Sequence, residues 1–261
     1  MSTFFDTKKT ITPALTTPIE VILFDVFGTV VDWRYSMSRE FKHWFKLKEI
    51  EHIDVESCVL FWVTAYSNNM RKISQGERRF DLVDNLNKES LITTLQHYQI
   101  DNKFNQSEID ELWRIWRRLT PWPDSLTGVK LLKQYFTIGA LSNGNIALLK
   151  DLSENIGISW DVILSGEQFK CYKPNSKVYL QAASSLKLNP EQILLIASHK
   201  YDLKAAQKCG FRTAYLFRPE EFQSVTEEQH PKEDEFDFNL SELDADFIST
   251  LSDQNSHNQY K

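Results

Sequence analysis

Short apolar, β-branched runs recur along the chain with helical patterns between them. Residues 18–27 run apolar into Gly28 and read as a buried strand. Similar runs stand at 136–142, 161–165, 192–198 and 212–217, and a weaker one at 236–240 closes one edge. Helical stretches cover 145–156, 175–187 and 202–209, with a last helix at 241–251. Buried strands alternating with helices predict an α/β fold, a parallel sheet flanked by helices on both faces.

Residues 35–119 follow a different period. Met37, Phe41, Trp44 and Phe45 share one helical face, and Val55, Val59, Trp62, Tyr66, Met70 and Ile73 share another over a longer helix. Leu82, Leu86, Leu91 and Leu95 predict a third helix. Ser107 with Asp110 gives a capping-box-like start to a fourth, which carries Leu112, Trp113, Trp116 and Leu119. The block is therefore a four-helix cap inserted after the first strand, and Thr120-Pro121-Trp122-Pro123 punctuates the return to the core. The domains expected are a core of 18–34 and 120–251 and a cap of 35–119, with flexible tails at 1–17 and 252–261.

With 261 residues, 41% of them hydrophobic and 25% charged, the chain can bury a sizeable core. No apolar run approaches the roughly 20 residues of a membrane helix. The polar N-terminus lacks the apolar segment of a secretory signal, so a cytoplasmic protein is expected. Cys58, Cys171 and Cys209 are odd in number and form no CxxC pair, which argues against a disulfide framework or a structural zinc site. Charge is uneven: residues 220–261 carry twelve acids against two lysines. Their −10 leaves the first 219 residues at about +4 of the total −6. A weakly basic body suits small anions, but it has no clustered Lys/Arg stripe for nucleic acid. The acidic stretch 220–235 reads as a solvated connection. Dinucleotide, P-loop, zinc-protease and serine-hydrolase signatures are missing, and the six histidines show no ligand spacing.

Ligands of an open parallel sheet bind at the carboxyl ends of its strands. Strand one delivers Asp25 there, followed by Phe27, Gly28 and Thr29. Strand two delivers Ser142, Asn143, Gly144 and Asn145. The next connection carries Lys170 and Lys173, and the following strand ends in Ser198, His199, Tyr201 and Asp202. Two carboxylates, hydroxyls, an amide and an ammonium on one rim suit a small anion handled by a carboxylate nucleophile.

In order and spacing these four segments resemble the motifs of the haloacid dehalogenase superfamily: 24–29, 141–145, Tyr172-Lys173-Pro174 with Val178-Tyr179, and 197–202. The chain is most similar to its type II L-2-haloacid dehalogenases, over about residues 18–250. The resemblance implies a Rossmann-like core and an enzyme that hydrolyses short 2-haloalkanoic acids to 2-hydroxy acids through an aspartyl ester, without metal or other cofactor. Phosphatases of the superfamily carry an Asp two residues after the nucleophile to protonate a leaving alkoxide. Here that position is Phe27, and a halide leaves without a proton. Their Mg²⁺ also needs an acidic pair near the fourth motif, where Ser198 stands four residues before Asp202.

The same resemblance assigns roles. Asp25 is the nucleophile, Lys173 keeps it ionised, and Asp202 pairs with Lys173 and orients the hydrolytic water. Ser142 and Asn143 bind the substrate carboxylate, and Thr29 bonds Asp25 or carries the ester oxygen. His199 replaces a common Asn and either orients water, acts as a base, or only bonds its loop. Phe27, Phe80 and Tyr201 are expected to wall the pocket as substrate-binding residues. The halide-receiving arginine of the type II enzymes follows a tryptophan on the long cap helix. Here Trp62 is followed by Val63, which leaves Arg34, Arg71, Arg78 and Arg79 as substitutes. Expected partners are a small halogenated carboxylate and, by resemblance, a second copy in a homodimer. The competing readings are a Mg²⁺-dependent small-molecule phosphatase and a non-catalytic relative that binds a small anion.

Overall fold

A computed structural model describes residues 17–221 and 225–259. Its centre is strand β1 (Val21–Phe24), every residue of which is buried, as a strand covered on both faces requires. Successive side chains of β1 point to opposite faces. Ile22 and Phe24 join one hydrophobic cluster, while Val21 and Leu23 join the other. The remaining strands of this sheet are β4 (Thr137–Ser142), β5 (Val162–Ser165), β6 (Ile193–Ala197), β7 (Arg212–Leu216) and β8 (Phe238–Leu240). Their spatial order is β5-β4-β1-β6-β7-β8, and every neighbouring pair is parallel. The α/β expectation is met, including the edge strand near residue 238.

Strands β2 (Val31–Asp32) and β3 (Thr120–Pro121) form a small antiparallel ribbon that marks where the chain leaves and re-enters the core. Between them run α1 (Trp33–Leu47), α2 (Val55–Ser74), α3 (Val83–His97) and α4 (Gln106–Trp113). The buried faces are the expected ones: Met37, Phe41, Trp44 and Phe45 on α1, and Val59, Trp62 and Tyr66 on α2. The start of α4 differs from the expectation. Asn105, not Ser107, is the N-cap, and its side chain and that of Glu108 close a reciprocal capping box. The similar pattern two residues further on, Ser107 with Asp110, is the weaker signal because Asp110 is used by Lys88.

The core helices are α5 (Ser125–Leu132), α6 (Ile146–Ile156), the single turn α7 (Gly166–Phe169), α8 (Ser176–Leu186), α9 (Lys200–Lys208) and α10 (Ala245–Gln259). Helices α8 and α9 cover the Leu23 face, while α5, α6 and α10 cover the Ile22 face. The last helix corrects the sequence reading, since it continues through much of the expected tail at 252–261. Asn255 bonds the backbone of Ile19 in both directions, at 2.6 and 2.7 Å, and so clamps the approach to β1. The expected N-terminal tail falls almost entirely outside the described residues. Among the described residues no helix is long and apolar enough to cross a membrane.

Candidate active site

At the carboxyl end of β1 the backbone of Asp25 still holds its neighbour, its N–H reaching Ile196 O at 3.0 Å. The chain then turns through Gly28, whose φ of +84° is a left-handed conformation that favours glycine. This turn brings Thr29 back under the carboxylate. Thr29 Oγ1 donates to Asp25 Oδ2 at 2.9 Å and accepts the Ser198 N–H at 2.8 Å. The ends of β1 and β6 are thus stitched together beneath the site.

Lys173 lies between the two acids, its Nζ 2.8 Å from Asp25 Oδ1 and 2.6 Å from Asp202 Oδ2. All three side chains are almost fully buried. Burial alone pushes the Asp25 carboxyl up, but the Lys173 ammonium, helped by His199, holds it well below the usual carboxylate range. Burial likewise works against the Lys173 charge, and the two carboxylates outweigh it, so its pKa is raised. Asp202 is pushed up, first by burial and further by the nearby Asp25 charge, against the pull of Lys173. Tyr179 donates to Asp202 Oδ1, fixing the second acid from helix α8. The Lys173 backbone is held by the Asn143 side chain, which accepts the Lys173 N–H at 2.7 Å and donates to Lys173 O at 3.3 Å.

Above this cluster lies a cavity of about 300 Å³. The strand ends contribute Asp25, Phe27, Ser142, Asn143, Lys173, His199, Tyr201 and Asp202 to its wall. The helices contribute Trp33, Val63, Tyr66, Ser67, Met70 and Trp116. Of the expected site residues, Thr29 lies just below the cavity and Tyr201 stands at its lip, 61% exposed. Phe80 is elsewhere: its ring packs on Tyr172 at 5.1 Å with Lys170 over its other side, so its expected place in the pocket is corrected. None of the four candidate arginines lines the cavity. Arg34 pairs with Glu56 and Arg78 with Asp81 and Glu89, while Arg71 and Arg79 are exposed.

Two groups escaped the sequence reading. Trp116, buried against Phe27 and Tyr66, carries an indole N–H with no hydrogen-bond partner among the described residues. Glu221 is only 5% exposed although it begins the acidic stretch expected to be a solvated connection. Its Oε1 accepts from Trp33 Nε1 at 2.8 Å and faces His199 Nε2 at 3.0 Å, and Oε2 accepts from Ser198 Oγ at 3.1 Å. No local motif announces it, because its partners come from two other segments of the chain, Trp33 and Ser198-His199. Among the described residues no group of three or more His, Cys, Asp or Glu side chains is arranged to hold a metal ion.

The model of the haloacid dehalogenase-like hydrolase family matches residues 19–210. (S)-2-haloacid dehalogenase 4A of Burkholderia cepacia is 25% identical over 206 residues, 77% of this chain and 84% of its own. Among solved structures, the defluorinating L-2-haloacid dehalogenase Rha0230 superposes with a TM-score of 0.85 at 36% identity, covering 92% of this chain and 97% of the other. The L-2-haloacid dehalogenase PA0810 superposes with a TM-score of 0.81 at 33% identity, covering 89% and 99% respectively.

Proposed function

From the premise that this chain belongs to the haloacid dehalogenase-like hydrolases and is a hydrolase acting on carbon–halogen bonds, we propose that it converts short 2-haloalkanoic acids, haloacetates and L-2-halopropionates among them, to 2-hydroxy acids through an ester on Asp25. The observation that carries this reading is the buried Asp25 at the floor of a small cavity, with the Lys173 ammonium on one oxygen holding it in the charged form. A carboxylate kept charged out of water is a stronger nucleophile than a solvated one, because no hydration shell must be removed before attack.

Asp25 displaces halide from the 2-carbon. The ester is then hydrolysed at its carboxyl carbon by a water that Asp202 orients and deprotonates; the raised affinity of Asp202 for a proton suits that role. The substrate carboxylate lies against Ser142, whose Oγ accepts the Gly144 N–H at 3.2 Å and keeps its own proton to donate. Asn143 serves this end through its backbone, since its amide is already given to Lys173. The departing halide meets the helical wall of Val63, Tyr66 and Trp116. That wall offers the halide aromatic and apolar surface and no charged side chain.

Phosphoryl transfer is less well supported. Phe27 is packed edge-on against Trp116 at 5.3 Å where a phosphatase would need a proton donor. No cofactor is called for in the proposed sequence. The test is halide release from chloroacetate, fluoroacetate and each enantiomer of 2-chloropropionate in excess EDTA, with Asp25→Asn as the blank. Fluoroacetate belongs in the panel because the similar Rha0230 is named as defluorinating. Release that survives EDTA, favours the L enantiomer and vanishes in the variant is the expected result. No release from any acid would overturn the proposal.

A further inference from the structure

Glu221 is the one acid in the cavity wall that no motif delivers. It closes a single 3-10 turn, Pro219–Glu221, after β7. The turn just past the nucleophile is shaped around it, since a Cβ on Gly28 would lie 2.1 Å from Glu221 Oε1. Trp33 and Ser198 already fix this carboxylate, at 2.8 and 3.1 Å. The remaining contact runs to His199 Nε2 at 3.0 Å, while the other ring nitrogen, Nδ1, lies 3.1 Å from Asp25 Oδ2. An imidazole held between two carboxylates satisfies both only by donating from both nitrogens, which is the imidazolium form.

The donors on Asp25 are unequal. Oδ2 receives Thr29 Oγ1 at 2.9 Å and His199 Nδ1 at 3.1 Å, which fills both of its lone-pair directions. Among the described residues Oδ1 receives only Lys173 Nζ, at 2.8 Å. We propose that Glu221 is a positioning residue that holds His199 as a two-handed donor, so that His199 and Thr29 form the oxyanion site for Asp25 Oδ2 and leave Oδ1 as the attacking atom. This rests on the dehalogenase function proposed for the same site.

Oδ1 gives an electron pair to the 2-carbon to form the ester C–O bond, as the carbon–halogen bond breaks and halide leaves with the pair of that broken bond. Oδ2 is then the ester carbonyl oxygen. Water adds to Cγ and passes a proton to Asp202, while the carbonyl pair moves onto Oδ2 under the two donors. Collapse breaks the Cγ–Oδ1 bond. Oδ1 departs with the product and takes the proton from Asp202, and the Asp25 carboxyl, now holding the water's oxygen, loses its proton to solvent. His199 stays protonated throughout and is neither base nor acid.

Groups facing His199 from the surrounding elements are Asp25, Glu221, Tyr201 and, on β7, Tyr215, whose hydroxyl is given to Gln229 O. Burial lowers the ring's affinity for a proton, but the Glu221 charge and these neighbours raise it well above the ordinary histidine value.

The experiment is single-turnover kinetics on L-2-chloropropionate, with intact-mass detection of the ester, for wild type, Glu221→Gln, His199→Asn and the double variant. Glu221→Gln should retain the halide burst while ester hydrolysis slows by at least about tenfold, so that the ester accumulates. The alkaline limb of its kcat profile should move to lower pH. His199→Asn should accumulate ester as well, and adding Glu221→Gln to it should slow hydrolysis no further. Should Glu221→Gln fail to fold, His199→Asn alone decides, because it leaves Glu221 bonded to Trp33 and Ser198. Wild-type hydrolysis with an unmoved profile in Glu221→Gln, no ester in His199→Asn, or losses that add in the double variant would each overturn the proposal. A wild type that releases no halide would instead sink the dehalogenase reading and this proposal with it.

Discussion

The wall of the cavity made by the strand ends and the loop after β7 carries five charged or chargeable groups in one bonded cluster: Asp25, Lys173, His199, Asp202 and Glu221. The wall made by the helices, from Trp33 through Val63, Tyr66 and Met70 to Trp116, carries no charged side chain. On the first wall almost every polar atom has a partner before substrate arrives. The second offers mainly aromatic and apolar surface, and the indole N–H of Trp116, which has no partner among the described residues, is sealed from the cavity. The difference assigns the work. In the proposed mechanism the strand side creates and discharges a covalent bond to Asp25, and the helical side shapes the space into which the leaving group moves.

The largest effect on this division should come from the strand side. Asp25→Asn removes the nucleophile without changing its size, and halide release should fall by about ten-thousandfold or more. Next is Lys173→Met, which leaves two buried carboxylates facing each other. Urea unfolding near neutral pH should show a loss of about 3–5 kcal/mol. The pKa shifts set the sign of the pH dependence. In wild type the Asp25 carboxyl is depressed, so its contribution to stability is present above the ordinary carboxylate value and lost as pH falls through the lowered one. Without the ammonium, burial raises both acids, so the variant favours their neutral forms. The stability gap to wild type should therefore narrow as pH falls, first above about 4, where the variant's raised acids take up protons, and further below it, where wild type loses the Asp25 contribution. A gap independent of pH would contradict the ion-pair account.

On the helical side, Trp116→Phe keeps the aromatic wall and deletes the unpartnered donor. Because that N–H is sealed from the cavity, halide release and inhibition by added halide should change by less than about threefold. Stability should stay within about 1 kcal/mol, because the lost N–H bonds nothing in the free protein. The smallest kinetic effect should come from Phe80→Ala. Its ring packs on Tyr172 outside the cavity, so thermal stability should fall while kcat/KM on 2-chloropropionate is unchanged. A large loss of kcat/KM there would restore Phe80 to the pocket.

The features legible in the sequence were the local ones. Each strand end places its own chemistry within a few residues, so Asp25, Ser142, Lys173 and Asp202 could be picked out from short apolar runs and the polar residues just beyond them. The four cap helices announced themselves through the period of their buried faces. Glu221 was hidden because it stands in an acid-rich stretch most of whose other described members, Glu227 and Glu228 among them, are exposed. Only the return of the chain after β7 brings it under Gly28. The continuation of α10 was hidden because 252–259 is polar, and it is held in part by Asn255 clamping Ile19 rather than by an apolar stripe. The substitution of Val63 for the arginine expected after Trp62 was visible, but the place of Trp116 in the cavity wall was not. Trp116 reaches the cavity from the far end of the cap.

The central claim is that Asp25, and not water, attacks carbon. A single turnover of 2-chloropropionate in heavy-oxygen water, with enzyme in excess, tests it most directly. The account predicts that the heavy oxygen appears in the peptide containing Asp25 while the hydroxy acid formed in that first turnover is unlabelled. Label in the product and none in Asp25 would mean that water attacks the substrate directly, and the account would be wrong.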